Sequence, residues 1–329
     1  MPRIRYLFIL NIITMSNAIP QVSILVPTYN RSKLLQEAIA SMLAQTFQDF
    51  EIIVADNCST DDTEQAIAGL GDQRIIYVKN IENIGPVNNH NRALRLARGR
   101  YICTFSDDDI MAPDNLALKV GIMEKYPNVG LVHSNINVID GDGTITATSH
   151  WGYRNPRMAA LWQEVVSSPL MDKKRAFHYL YHNWNFMSMP SVLVRSAFVF
   201  RNGIEFNNQL GFIYDWDLWL RVAMFGDFYY LDEKLVDYRI HANNDAKKLN
   251  SRLYFRELLV SKLGLINRYD RTDLHKKDYL GEVIRLIKKQ MVYAGENETL
   301  IAEKIREVKT YLKNNVSQEN LAKLKKLKR

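Results

Sequence analysis

The sequence predicts an α/β protein: a Rossmann-like, mostly parallel sheet with helices on both faces, followed by a helical C-terminal extension. Three observations carry this expectation. Short apolar runs alternate with stretches of helical periodicity through the first third of the chain, the order expected of a doubly wound sheet. The first runs are apolar at consecutive positions and rich in Val and Ile, which suits strands buried on both faces. Each run then empties into a polar loop, and in open α/β sheets ligands bind beyond the carboxyl ends of the strands.

Residues 22–27, Val-Ser-Ile-Leu-Val-Pro, form the first expected strand, which Pro27 ends. After the loop 28–32, a helix is predicted from the spacing of Leu34, Leu35, Ala38, Ile39, Met42 and Leu43. Residues 51–55 repeat the theme as a second strand, ending at Asp56 before a helix through Ile67. Residues 74–78 make a third strand, 85–97 a helix, and 101–105 a fourth strand that runs directly into Ser106-Asp107-Asp108-Asp109. A helix over 113–126 follows, with Pro113 at its start. Two strands at 129–134 and 136–139 lead to a tight turn, Asp140-Gly141-Asp142-Gly143, and a return over 144–148. The pattern weakens over 150–185 into aromatic-rich loops and short helices. Strand character returns at 191–194, helical character at 214–223 with acids in the first turn, and two short strands are expected at 228–231 and 234–239. Beyond Asp245, helices are expected at 249–268, 278–293 and 300–314.

With 47% hydrophobic and 24% charged residues, the 329-residue chain has the composition of a globular protein with a substantial core. Its net charge of +7 is uneven. From Lys247 onward 21 Lys/Arg face 10 Asp/Glu, a net of +11, which leaves −4 for residues 1–246. That tail suits an anionic membrane surface, or is a solvated helical face; it lacks the interleaved aromatics of a nucleic-acid binder. The two cysteines, Cys58 and Cys103, form no CxxC and no zinc spacing, consistent with a reducing, cytoplasmic compartment. At the N-terminus, Arg3 and Arg5 precede an apolar run broken by Asn11. That run is far shorter than the roughly 20 residues needed to cross a bilayer. Residues 1–19 therefore read as a short disordered or interfacial leader, or translation begins within them at Met15.

The three adjacent carboxylates Asp107, Asp108 and Asp109 repel one another and need a compensator. A divalent cation with oxygen ligands would serve, as would a solvated acidic turn in which one of them caps the next helix. Neither GxGxxG nor GxxxxGK[ST] follows the first strand, which argues against a dinucleotide oxidoreductase and a P-loop NTPase.

Four segments in order, residues 22–31, 55–63, Asn83-Ile84-Gly85 with Asn91-Arg92-Ala93, and 99–109, resemble glycosyltransferase family 2 with its GT-A fold. The similarity spans roughly residues 20–245 by the placement of these motifs at successive strand ends. It implies a nucleotide-binding part at about 20–135, an acceptor part at about 136–245, and a separate basic helical region at 246–329. The activity it implies is inverting transfer of a sugar from a nucleotide donor, a UDP-sugar, to a glycan or lipid-linked acceptor in surface polysaccharide synthesis. Peripheral attachment to the inner face of the cytoplasmic membrane would follow from the basic region. Rival readings are a sugar-phosphate nucleotidyltransferase, which should carry a glycine-rich basic first loop that residues 27–31 lack, and an inactive nucleotide-sugar-binding protein.

By resemblance, Pro27, Thr28, Tyr29, Arg31, Asp56, Asn83, Gly85, Asn91, Arg92 and Asp107 hold the nucleotide, with Asp56 accepting from the uracil N–H. By residue type, Asp56 would equally form an Asx turn. Asp108 and His241 would hold Mg²⁺ or Mn²⁺, which neutralises charge on the departing diphosphate. Ser106 stands where the family pattern has its first acid. Asp215 aligns with the general base that deprotonates the acceptor hydroxyl, and Tyr214 replaces the family's glutamate before it. Trp216 and Trp219 would line the acceptor cleft or else pack as buried aromatics, Asp217 would be structural, and Arg239 would either offset diphosphate charge or pair with a carboxylate.

Overall fold

The computed structural model describes residues 19–148, 156–182, 185–241 and 251–268, together with Arg306. The first strands are β1 (Val22–Thr28), β2 (Phe50–Asp56), β3 (Ile75–Lys79) and β4 (Tyr101–Thr104), with α1 (Ser32–Leu43), α2 (Thr63–Leu70) and α3 (Pro86–Leu96) between them. Then come β5 (Ile110–Met111), α4 (Asn115–Lys125), β6 (Val129–Ile139), β7 (Ile145–Ala147), α5 (Pro156–Ser167), β8 (Leu170–Met171) and α6 (Lys173–His182). The described chain continues through β9 (Val192–Arg195), α7 (Ser196–Phe200), α8 (Tyr214–Val222), β10 (Asp227–Arg239) and α9 (Ser251–Arg268).

The described strands join one sheet in the order β3-β2-β1-β4-β9-β6-β10-β5, with β7 pairing β6 and β8 pairing β10. The run β3-β2-β1-β4 is parallel, β9 is antiparallel to both β4 and β6, and β6 runs parallel to β10. The six strands β1, β2, β3, β4, β6 and β10 thus run one way, as expected of a mostly parallel sheet, while β9 at the centre and the short β5, β7 and β8 run against them. The period-2 alternation of strand side chains divides the buried residues into two layers. Ile24, Val26, Ile52, Val54, Tyr101 and Cys103 pack with α1 and α4, whereas Leu25, Ile53, Ala55 and Ile102 pack with α3, α6 and α8. Both faces being covered explains why β1 and β2 read as continuous apolar runs.

Two polar residues interrupt those runs, and both are engaged. Ser23 Oγ donates to Glu51 Oε1 (2.6 Å) and accepts from Gly99 N (2.8 Å), while Arg98 Nη2 pairs with Glu51 Oε2 (2.6 Å). A Cβ on Gly99 would lie 2.5 Å from Ser23 N, so only glycine lets the chain entering β4 come this close to β1. The lock sets β4 in register beside β1, and the acid triplet follows directly from its far end.

Where two strands are expected at 129–139, the structure has one, β6; where two are expected at 228–239, it has one, β10. In β10 the charged pair Asp232-Glu233 marks an irregularity between Leu231 and Lys234, not a strand end. Asp232 Oδ1 there accepts from Asn135 Nδ2 (3.0 Å) and from the Tyr230 hydroxyl (2.7 Å). The helices expected at 278–293 and 300–314 lie outside the described residues, apart from Arg306. α9, the first helix of the expected basic region, packs Tyr254, Leu258 and Leu265 into the same core layer as α8. No helix among the described residues is long and apolar enough to cross a membrane.

Candidate active site

The carboxyl ends of β1 and β2 are neighbours, with Thr28 opposite Asp56 and Asp56 opposite Lys79 of β3. The loops that leave them are clamped together. Asn30, at φ 52°, accepts from Thr60 N (2.8 Å) and donates its own N–H to Ser59 Oγ (2.8 Å). Asp61 accepts from Ser32 N (3.1 Å) at the start of α1 and from Thr63 N (3.2 Å) at the start of α2. Pro27 lies in register with Ala55, and Tyr29 projects from the same lip, 45% exposed.

Asp56 is fully buried. Its Oδ1 accepts from Ser59 N (2.8 Å), the Asx-turn geometry, and its Oδ2 takes the Tyr77 hydroxyl. Beside it runs a network of amides that the motifs did not reveal. Asn57 donates to Asn83 Oδ1 (2.8 Å) and accepts from Asn80 Nδ2 (3.0 Å) and Ile84 N (2.9 Å); Asn89 Nδ2 donates to Ala55 O (2.6 Å). Arg92 reaches Asn80 and Lys79 O at the end of β3. Gly85 sits at φ 82°, a left-handed geometry that favours glycine, and opens α3. Asn91 is directed elsewhere. Its carboxamide donates to Phe206 O (2.8 Å) and accepts from Phe206 N (2.8 Å), so its hydrogen bonds fix the loop after α7 and are not offered to a nucleotide.

The acid triplet lies at the end of β4, next to the end of β10. Arg31 Nη1 bridges Asp107 Oδ1 (2.8 Å) and Asp108 Oδ2 (3.0 Å), and His241 Nε2 meets the same Asp108 oxygen at 2.9 Å. Burial pushes the Asp107 carboxyl up to about 6; Arg31 draws it down and the neighbouring Asp108 raises it further. Burial is the main cause of that rise, and a cation bound beside these carboxylates would oppose it. Hard carboxylate oxygens with one imidazole suit Mg²⁺ or Mn²⁺. Asp108 and His241 would hold such an ion, leaving its other positions to phosphate oxygens and water. Asp109 does not cap α4; its Oδ1 accepts from Arg239 N (2.8 Å), which ties the triplet to β10. Arg239 also donates to Asp108 O (2.8 Å) and pairs with Glu37 (2.9 Å), the second of its two expected roles.

Asp215 is the second residue of α8 and is partly exposed. Trp216 N donates to its Oδ1 (2.7 Å) and Asn185 Nδ2 to its Oδ2 (2.9 Å). Burial pushes its carboxyl up to about 6 against these two bonds. Tyr238 lies near the end of β10. Burial, then the charges of Asp109, Asp108 and Asp215, hold the Tyr238 phenol far above its ordinary range.

The expected role of Trp216 and Trp219 in an acceptor cleft is corrected by their burial. Trp216 is 2% and Trp219 0% exposed, and Trp216 Nε1 donates to Leu180 O (3.0 Å). At helical spacing i, i+3 the two rings share the inward face of α8, while Asp215, one residue earlier, lies off that stripe. Asp217 is structural, pairing with Arg221 on the next turn. Tyr214 packs edge-on against His90 (5.1 Å) and Phe206 (5.7 Å). Asn185, which donates to Asp215, lies in the segment of weak periodicity and carries no motif, while Tyr238 lies in the expected strand that leads to His241.

A family model for Glycosyl transferase family 2 matches residues 23–198. The chain is 30% identical over 226 residues to an uncharacterized glycosyltransferase of Rickettsia prowazekii, covering 68% of this chain and 65% of that protein. It is 26% identical over 235 residues to the putative colanic acid biosynthesis glycosyl transferase WcaA of Escherichia coli, covering 70% and 76% of the two chains. In fold it is similar to S. aureus TarS, solved in complex with UDP-GlcNAc, with a TM-score of 0.64 at 19% identity over 81% of this chain and 72% of that one.

Proposed function

The chain belongs to glycosyltransferase family 2, and from that membership we propose an inverting transfer of a sugar from a UDP-sugar to a hydroxyl of a glycan or lipid-linked acceptor. The acceptor is a growing surface polysaccharide or its lipid-linked precursor, a reading supported by the likeness to WcaA; the TarS complex supports a UDP-sugar donor. The single observation that carries this reading is the cluster at the end of β4, where Arg31 bridges Asp107 and Asp108 and His241 meets the same Asp108 oxygen.

The nucleoside lies along the lip formed by Pro27, Thr28, Tyr29 and Asp56, bounded by Asn83, Gly85 and Arg92. Asp56 accepts from the pyrimidine N–H with the lone pairs that Ser59 N and Tyr77 leave free. Asp107 reaches the ribose, and Arg31, already bridging Asp107 and Asp108, turns its positive charge toward the diphosphate. Asp108 and His241 would hold Mg²⁺ or Mn²⁺, which would supply Lewis-acid stabilisation of the leaving diphosphate. Asp215 acts from the opposite face of the sugar. It takes the acceptor hydroxyl proton as the acceptor oxygen bonds to the anomeric carbon and the bond from that carbon to the diphosphate breaks, releasing UDP. A carboxyl pushed up to about 6 is ionised at neutral pH yet more basic than an ordinary aspartate, the balance a general base needs. The +11 of the C-terminal region draws the enzyme to the anionic inner face of the cytoplasmic membrane, where lipid-linked acceptors reside.

The test is a panel of UDP-, GDP- and dTDP-sugars with and without Mn²⁺, read by thermal stabilisation and by nucleotide release from the purified chain. The reading expects a UDP-sugar to stabilise the protein in a metal-dependent way and to be slowly hydrolysed. Stabilisation by a GDP- or dTDP-sugar alone would overturn the donor assignment, and response to none of the panel would overturn the mechanism.

A further inference from the structure

Three consecutive backbone N–H groups just before α8 converge on one carboxylate from α9. Gly211 N donates to Glu257 Oε1 (2.7 Å), while Phe212 N (2.9 Å) and Ile213 N (3.1 Å) both donate to Glu257 Oε2. Glu257 is 7% exposed, and burying an anion is costly unless it is fully hydrogen-bonded. Three N–H donors meet that requirement. Ile213 is the residue that opens α8, and no side chain caps that helix from its own sequence. Glu257 therefore supplies from another helix both the acceptor and the negative charge that helix starts require.

Further contacts tie the same two helices. Ser261, one turn after Glu257, donates to Asp217 Oδ1 (2.5 Å), and Lys262 Nζ sits 4.4 Å from the Tyr181 ring and 5.8 Å from the Trp216 ring. Asp215 is anchored to its own helix by Trp216 N and to the preceding segment by Asn185. Where its helix begins is set by the Gly211–Ile213 turn, and that turn is held by Glu257. α9 lies beyond residues 23–198, the stretch the family model covers.

We propose that Glu257 is a positioning residue for the transfer reaction: by gripping the N–H groups of Gly211, Phe212 and Ile213 it fixes the start of α8 and so aims the Asp215 carboxylate at the acceptor hydroxyl. The proposal rests on the reading of Asp215 as the base. It makes the helical segment after residue 250 part of the catalytic apparatus, distinct from any role of the basic tail in attachment.

Three variants of the full-length chain test it. Glu257→Gln removes the charge and opposes N–H donors with its own amide. Glu257→Asp keeps the charge but falls one methylene short of the turn. Gly211→Ala keeps Glu257 and adds a Cβ 3.2 Å from its Oε1, the only atom that Cβ would crowd. The first readout needs no substrate: the Asp215 carboxyl is titrated by carbon NMR with labelled aspartate, assigned by its loss in Asp215→Asn, with Tyr238 and Tyr254 as the titratable groups facing it. The second is UDP release from UDP-GlcNAc or another hydrolysed UDP-sugar with Mn²⁺.

Both Glu257 variants are expected to drop the Asp215 midpoint from about 6 toward the ordinary aspartate range as the loosened turn admits water. The kcat for UDP release should fall on the order of 10- to 100-fold, with KM for the donor unchanged within about twofold. Gly211→Ala should shift the same midpoint in the same direction, and its effect should vanish in the Glu257→Gln background. A midpoint unmoved in both Glu257 variants would overturn the proposal, as would a kcat loss that tracks only the fraction of folded protein. Retained activity in Asp215→Asn would instead overturn the base assignment, a failure distinct from an unmoved midpoint in the Glu257 variants.

Discussion

Replacing Asp215 with asparagine should raise stability at neutral pH while abolishing transfer, with the stability effect changing sign in acid. In the folded chain burial pushes the Asp215 carboxyl up to about 6. Its charged form is therefore disfavoured relative to the unfolded chain, where an ordinary aspartate titrates near 4. Stability is fully present below about pH 4, falls as pH rises toward about 6, and is flat above. The gap from about 4 to about 6 corresponds to roughly 3 kcal/mol, which partial exposure screens to about 2 kcal/mol. Against this, the asparagine amide turns a donor toward Asn185 Nδ2 and loses that hydrogen bond, at about 1 kcal/mol. Asp215→Asn should then be more stable than wild type by about 1 kcal/mol at pH 7.5, a rise in Tm of roughly 2–4 °C. At pH 4.5, with most of the charge penalty gone, it should be no more stable or slightly less. Thermal melts of both proteins across that range, with UDP release in parallel, measure this directly. A variant less stable at pH 7.5 than at pH 4.5 relative to wild type, or one that retains transfer, would refute the reasoning.

Other consequences are equally specific. Wild-type turnover should rise through about pH 6 as Asp215 ionises and then level off, to be read from kcat against pH at saturating donor. Asp108→Asn should lose the Mn²⁺-dependent part of the thermal shift given by a UDP-sugar while keeping the fold, since Arg31 and His241 retain a polar partner there. Trp219→Ala should lower stability by about 3–5 kcal/mol in denaturant melts without altering acceptor KM in the surviving folded fraction, because the ring is wholly buried. Gly99→Ala should cost about 1–3 kcal/mol or more by forcing β4 away from Ser23.

The parallel half of the fold was legible because its strands are buried on both faces, so that Val22, Ile24, Val26, Ile52 and Val54 read as unbroken apolar runs. The strand ends were legible for the same reason: Thr28, Asp56 and the acid triplet stand where those runs stop. The reversed β9 was not, because a four-residue strand carries no sign of its direction. Nor was the continuity of β10, where Asp232 and Glu233 look like a break until Asn135 and Tyr230 are seen to satisfy Asp232.

Within the candidate site, residues adjacent in sequence to a motif could be read, and residues brought in from a distance could not. Asn185 and Glu257 reach Asp215 or the start of its helix from two separate segments, and neither sits in a recognisable pattern. The tryptophans of α8 were misplaced for a related reason. A sequence shows that Trp216 and Trp219 share a helical face but not which way that face points, and here it points inward. Asn91 likewise shares a helix with Arg92 yet serves the loop at Phe206.

The most direct test of the central claim is the stereochemistry of the released sugar. Proton NMR of UDP-α-GlcNAc, or whichever α-linked UDP-sugar proves to be hydrolysed, should show the β-anomer first, before mutarotation mixes the two. Single displacement with Asp215 as base predicts that result in wild type and its loss in Asp215→Asn; appearance of the α-anomer first would contradict it.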